Sequence, residues 1–192
     1  MVYRFRFCLS RHILFLASFS GNRACDRRLK ILVDHGYLKR KKILYGIPYL
    51  YYLSTSGMRF IHVKAKEENI RIDQIHHDIA LLDSLPLLIE KYHFSLSSMT
   101  TERELHIEDG FGVRKHHPDL VFQKDNESYA IEIELNLKTK NRLFKNIEDN
   151  YLHYDHQIWV VPLAQIKIQN ILKESLEKYD NIEVVLLESF MS

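Results

Sequence analysis

The sequence predicts an α/β chain in two parts, a small basic helical module closed by a β-hairpin and a larger acidic α/β sandwich. Three observations predict it. Charge divides abruptly: residues 1–66 hold 14 Lys and Arg against only Asp26 and Asp34, a net +12, while the rest carries −10, although the whole nets only +2. The spacing of apolar residues switches between the helical and the strand period along the chain. Only 6 Gly and 4 Pro among 192 residues leave little linker material. The division is placed at 1–66 and 67–192. A basic module joined to an acidic one suggests that the first meets a polyanion.

Composition narrows the class further. At 46% hydrophobic and 27% charged, the chain resembles ordinary globular proteins, which excludes collagenous, disordered and disulfide-scaffold architectures. Cys8 and Cys25 are too few for a disulfide framework and suit free thiols in a reducing cytosol. Met1–Phe19 is basic and then apolar, but Arg11 and His12 interrupt the apolar run, and no cleavage site of small residues follows. No apolar run is long enough to cross a bilayer. The expectation is a cytoplasmic protein with no membrane partner.

In the basic module, Leu9, Ile13, Leu14, Leu16 and Ala17 recur at helical spacing, with Ser10 as the expected N-cap. Ser20-Gly21-Asn22 is a turn. A second helix runs from about Arg23 to His35, burying Leu29, Leu32 and Val33 and presenting Arg23, Arg27, Arg28 and Lys30, and Gly36 ends it. Tyr37–Lys42 is a strand that turns basic through Lys39, Arg40, Lys41 and Lys42. Gly46-Ile47-Pro48 is a loop, and Tyr49–Leu53 returns as the second strand of a hairpin. Ahead of all this, alternating Tyr3, Phe5 and Phe7 predict a short strand whose exposed aromatic edge would favour a homodimer.

Helix, turn, helix and a hairpin with a basic tip is the order of a winged helix-turn-helix. The segments Arg27-Arg28-Leu29-Lys30-Ile31-Leu32-Val33-Asp34-His35-Gly36-Tyr37-Leu38-Lys39-Arg40 and Tyr51-Tyr52-Leu53-Ser54-Thr55-Ser56-Gly57 closely resemble that superfamily. The resemblance implies a partner of double-stranded DNA, with the arginines of the second helix in the major groove and Lys41 and Lys42 against neighbouring phosphates. Winged helices also serve as protein-interaction modules. The usual helix before the pair has no counterpart in the residues preceding Leu9.

The acidic module reads as a helix from about Arg71 to Tyr92 with Pro86 as a kink, a mostly extended Phe94–Ile107, and strands at Pro118–Lys124 and Ser128–Asn136. A helix from about Lys138 to Tyr154, a strand at Gln157–Val161, a helix at Leu163–Tyr179 and a strand at Ile182–Leu187 follow. If Asp125-Asn126 is a two-residue turn, partners across the hairpin sum to 251, which pairs Leu120 with Ile131 and Phe122 with Tyr129 on an apolar face. Asp119 then opposes Glu132 on the other face, with Glu134 one step along. Carboxylates so placed repel one another, and a shared cation, a shared proton or a basic partner relieves that. Eleven histidines show no recognised zinc spacing.

Pro118-Asp119, a hairpin, Glu132-Ile133-Glu134 on an apolar strand and a Lys- and Arg-bearing helix resemble the PD-(D/E)xK nuclease superfamily. That resemblance implies Mg²⁺ (or Mn²⁺) held by Asp119 and Glu132, with Glu104 or Glu102 on the preceding strand as a third ligand. Glu134 occupies the position of the family's lysine, a departure, and Lys138 is the nearest substitute. Arg142 is the implied phosphate contact. The carboxylate geometry is also compatible with a solvated polar face, with Glu132 and Glu134 paired to Lys138 and Arg142. Over roughly residues 10–160, including His77-Asp78-Ile79-Ala80, the chain is similar to the replication-relaxation family of plasmid and mobile-element proteins. This implies a part in plasmid replication or mobilisation. Two functions follow as expectations: a metal-dependent DNA endonuclease or nickase, with Asp119, Glu132, Glu134 and Lys138 at its centre, or a non-catalytic DNA-binding accessory factor or regulator on a degenerate nuclease fold.

Overall fold

The computed structural model describes residues 2–43, 45–66, 68–110 and 115–187. The chain is mixed α/β and divides into two compact units, one running through Asp83 and the other from Ser84. The expected division at 66/67 lies ahead of this boundary, which falls inside a helix.

In the first unit, α1 (Ser10–Leu16) and α2 (Asn22–Asp34) are followed by a hairpin of β1 (Leu38–Lys41) and β2 (Leu50–Leu53) and by α3 (Thr55–Phe60). Leu9, not Ser10, occupies the N-cap position of α1. It has no hydroxyl to offer there, and the His12 ring takes its N–H instead, Nδ1 accepting at 3.2 Å. Gly36 follows α2 with φ +73, the left-handed residue that lets the chain turn back into β1. The hairpin pairs Leu38 with Leu53 and Lys41 with Leu50. A short 3₁₀ turn, Ile72–Gln74, leads into α4 (Ile75–Tyr92), whose first half packs Ile75 and Ile79 against Phe7, Leu9 and Leu50.

The predicted strand over Tyr3, Phe5 and Phe7 is not formed. The segment turns, with Arg6 at φ +64, and pairs with the hairpin through a bridge of Cys8 to Tyr51. Phe5 and Phe7 are both buried within the unit, so the exposed aromatic edge invoked for a homodimer does not exist. Burying two aromatic side chains outweighs what an unpaired edge strand would gain in so short a run.

The second unit holds a five-stranded sheet in the order β3 (Met99–Thr101), β4 (Leu120–Lys124), β5 (Glu127–Ile133), β6 (His156–Pro162), β7 (Ile182–Leu187). The first pairs are antiparallel, and β5–β6 and β6–β7 are parallel, the connections of the latter supplied by α6 (Lys140–His153) and α7 (Ile166–Ser175). The β4–β5 hairpin has the anticipated register, Leu120 opposite Ile131 and Phe122 opposite Tyr129. Asp125 and Asn126 turn it with φ +53 and +68, which Asp and Asn tolerate better than most residues. α6 and α7 cover one face through Leu143, Ile147, Ile168 and Leu172, packed on Trp159 and Val161. Trp159 is fully buried, and its indole N–H donates to Gln157 Oε1 at 3.1 Å. On the opposite face, Phe94, Phe122, Tyr129 and His156 form a continuous ring stack with centroid spacings of 4.2, 4.6 and 4.3 Å.

The extended reading of Phe94–Ile107 is half wrong. After β3 the chain enters a helix, α5 (Glu102–Asp109), which Thr101 and Glu104 begin with a reciprocal capping box. Glu102 and Glu104 therefore lie on a helix and not on the strand before the hairpin. Among the described residues, no helix is long and apolar enough to cross a membrane.

Candidate functional site

The cationic side chains of the first unit lie where helix and hairpin leave them. In α2, Cys25 and Leu29 face inward, which puts Arg23, Arg27, Arg28 and Lys30 on the exposed side. In β1 only Leu38 is buried; Lys39, Arg40 and Lys41 are exposed, as is Lys42 beyond it. Arg40 lies over the Tyr49 ring, 5.0 Å from its centroid, a cation–π contact that steadies the guanidinium. Lys30 and Arg40 line one hollow of about 300 Å³ together with Asp26, Asp34 and Tyr51. Helix and hairpin thus turn cations to a common side, with two carboxylates between them.

α1 is anchored beneath this face by Asp83 of α4. The Arg11 guanidinium grips that carboxylate with two hydrogen bonds of 2.7 and 2.8 Å, and His12 Nε2 lies 2.8 Å from Oδ1. Because His12 Nδ1 accepts the Leu9 N–H, Nε2 carries the proton and donates it to Asp83. Burial keeps the His12 pKa below its ordinary value, so the ring works here as a neutral donor.

In the second unit, the hairpin brings Asp119 and Glu132 together as the register requires. Asp119 Oδ2 accepts the Ile133 N–H at 2.7 Å. Glu132 points to the α6 side, where its Oε1 accepts hydrogen bonds from His116 Nε2 at 2.7 Å and Asn150 Nδ2 at 2.9 Å. Burial pushes the Glu132 carboxyl up to about 7; the charge of Asp119 adds to that, while His116 and Asn150 oppose it. Burial also disfavours charge on His116, but the hydrogen bond and charge of Glu132 outweigh it and raise the imidazole. Carboxylate and imidazole therefore compete for protons, Glu132 buried and His116 partly open to solvent. Neighbouring His117 lies 2.8 Å from Asp109 and edge-on to His106, with centroids 4.6 Å apart.

The remaining expected residues are spread out. Glu134 is half-buried at the end of β5, its N–H donating to Val160 O at 3.0 Å. Lys138 is exposed between β5 and α6, and Arg142 is exposed in the first turn of α6. Glu104 Oε2 accepts from both the N–H and the hydroxyl of Thr101 at 2.9 Å, which commits it to the start of α5. Among the described residues, no group of three or more His, Cys, Asp or Glu side chains is arranged to hold a metal ion. Asn150 is a member of the site that was not anticipated from the sequence. Its signal was present, because Leu143, Ile147 and Asn150 share one buried stripe of α6, and a polar residue in an apolar stripe asks for a buried partner.

Comparison with known proteins finds no matching family model and no matching curated protein.

Proposed function

We propose that the chain is a double-stranded DNA-binding protein acting in the replication or mobilisation of a plasmid or other mobile element, with a winged helix-turn-helix as its DNA reader. The observation that carries this is the hollow shared by Lys30 of α2 and Arg40 of β1. It supports a recognition helix and a basic wing addressing one duplex together, the helix at base edges and the wing at phosphates. The second unit is read as a nuclease-like sandwich that contributes structure and partner contact without cleavage. Its donor set does not fit a resident Mg²⁺ or Mn²⁺. The Glu132 oxygen nearest its neighbours already accepts two hydrogen bonds, His116 stands against it, and Asp119 is committed to a main-chain N–H.

One observation favours the endonuclease as second reading: Asp119 and Glu132 are close enough that the charge of one raises the pKa of the other. Two measurements test the pair of readings. Fluorescence anisotropy with a labelled duplex should show weaker binding for Arg27→Ala and Arg28→Ala, and for Lys41→Ala a shallower salt dependence, the slope of log K against log salt falling by about 0.9 per lost phosphate contact. Unchanged affinity in both arginine variants would remove the recognition helix. Incubation with supercoiled plasmid and Mg²⁺ or Mn²⁺ should leave the plasmid intact. Nicking by the wild type and not by Asp119→Asn would establish the enzyme instead.

A further inference from the structure

The second unit contains a hollow of about 430 Å³ on the α6 side of the sheet, beside the Glu132–His116 pair. At about 30 Å³ per water in the liquid, this is room for on the order of ten waters, well beyond what a lone phosphate fills. Its wall combines three kinds of group. Lys115, which lies 3.6 Å from Asp109, and Lys145, which makes no ion pair among the described residues, supply positive charge. Tyr154 and His153 supply flat rings, and the His153 ring is fixed because its Nδ1 donates to Asp149 O at 2.7 Å. Asp149 and Asn150 supply acceptors.

Asn150 is the most telling of these. Its side chain is fully buried and its Nδ2 is spent on Glu132, yet its Oδ1 has no hydrogen-bond partner. Leaving a buried acceptor unpaired costs about 1–3 kcal/mol. Asn150 lines the hollow, so a ligand N–H or O–H reaches Oδ1 once the amide shifts toward it, and relieves that cost. A lone phosphate fills only a small part of such a hollow, and a nucleoside without phosphate does not use the lysines.

We propose that this hollow binds one nucleotide unit, its phosphate held by Lys115 and Lys145, its base against the Tyr154 and His153 rings, and base or sugar donors directed to Asp149 and Asn150. The nucleotide is either free or the phosphorylated end of a nucleic-acid strand; the chemistry recognised is the same. Binding here is a property of the second unit and goes beyond duplex recognition by the first.

The test is equilibrium titration of the intact chain, followed calorimetrically, with each 5′-ribonucleoside and 5′-deoxyribonucleoside monophosphate, with inorganic phosphate, and with the corresponding nucleosides. At least one monophosphate should bind about tenfold or more tightly than phosphate or its own nucleoside. Lys145→Ala should weaken it by about tenfold, as expected for a hydrogen bond to a charged group, while Lys167→Ala, at an exposed position of α7, should not. Circular dichroism of each variant checks that it is folded. Short single strands with a 5′-phosphate or a 5′-hydroxyl separate the sources: tighter binding of the phosphorylated strand than of the free nucleotide identifies a strand end, and the reverse order identifies a free nucleotide. Absence of millimolar binding by every monophosphate, or binding indifferent to Lys145→Ala, overturns the proposal. Arg27→Ala should impair binding of a duplex with hairpin-capped ends and leave nucleotide binding intact, so failure of either assignment is seen separately.

Discussion

Asp119 caps the main chain of Ile133: its Oδ2 accepts that N–H at 2.7 Å, just where β4 has ended and can no longer supply a carbonyl. Successive N–H groups of a strand point to opposite sides, and that of Glu134 is taken by Val160 of β6. The Ile133 N–H would otherwise be an orphan. Asp119→Ala should therefore destabilise the second unit by about 1–2 kcal/mol, while Asp119→Asn, which keeps an acceptor oxygen, should cost clearly less. Urea unfolding followed by circular dichroism compares them. Equal losses would show that the cap contributes nothing, and the difference makes Asp119→Asn the proper control in any cleavage assay.

The Glu132–His116 pair predicts a pH dependence. Both groups have raised pKa values in the folded chain, Glu132 to about 7, so the folded state holds their protons more firmly than the unfolded state. The stability they confer is complete below the unfolded carboxylate value of about 4.3, and it is lost as pH rises through the folded values. Stability should fall between pH 5 and pH 8 by on the order of a few kcal/mol, at about 1.4 kcal/mol per pKa unit. Glu132→Gln should flatten this slope. A variant as steep as the wild type, in urea titrations at the two pH values, would assign the dependence elsewhere.

Asp83 has the opposite sign. Burial works against its charge, but the hydrogen bonds from His12 and Arg11 win and hold its pKa below the ordinary carboxylate value. Its contribution is present above the unfolded value of about 3.9 and is lost as pH falls through the folded one. Asp83→Ala leaves the buried His12 N–H without a partner and should lower stability by about 1–3 kcal/mol at pH 7. Differential scanning calorimetry should show a smaller penalty at pH 3. An equal penalty at both pH values would contradict the ionic assignment.

Gly57 admits no side chain. A Cβ there would run into the Tyr37 carbonyl oxygen and press on Leu53, because α3 lies tight against the hairpin. A main-chain atom cannot swing aside, so Gly57→Ala should cost at least about 1–3 kcal/mol. On the proposed function it should also weaken duplex binding by displacing the hairpin, which anisotropy would read. A fully stable Gly57→Ala would mean that α3 is free to shift.

What the sequence discloses depends on how local the governing physics is. The β4–β5 register was legible because a two-residue turn and strict alternation leave one pairing that puts Leu120, Phe122, Tyr129 and Ile131 on a common face. The carboxylate pair followed from the same register. α5 was misread although Thr101 and Glu104 spell a capping box, because its eight residues carry few apolar positions and no stripe to count. Tyr3, Phe5 and Phe7 alternate like a strand, yet the decision there was tertiary: Phe7 belongs to a cluster with Leu50 and Ile79, which no local pattern reveals. The engagement of Glu132 by Asn150 joins residues 18 positions apart and needed the packing of α6 on the sheet to be seen.

The chain has a single tryptophan, and Trp159 lies sealed in the core of the second unit. Intrinsic emission excited at the red edge therefore reports that unit alone and is blind to melting of the first unit. Comparing the emission maximum with far-ultraviolet ellipticity through one denaturant series would resolve the two unfolding events without any label.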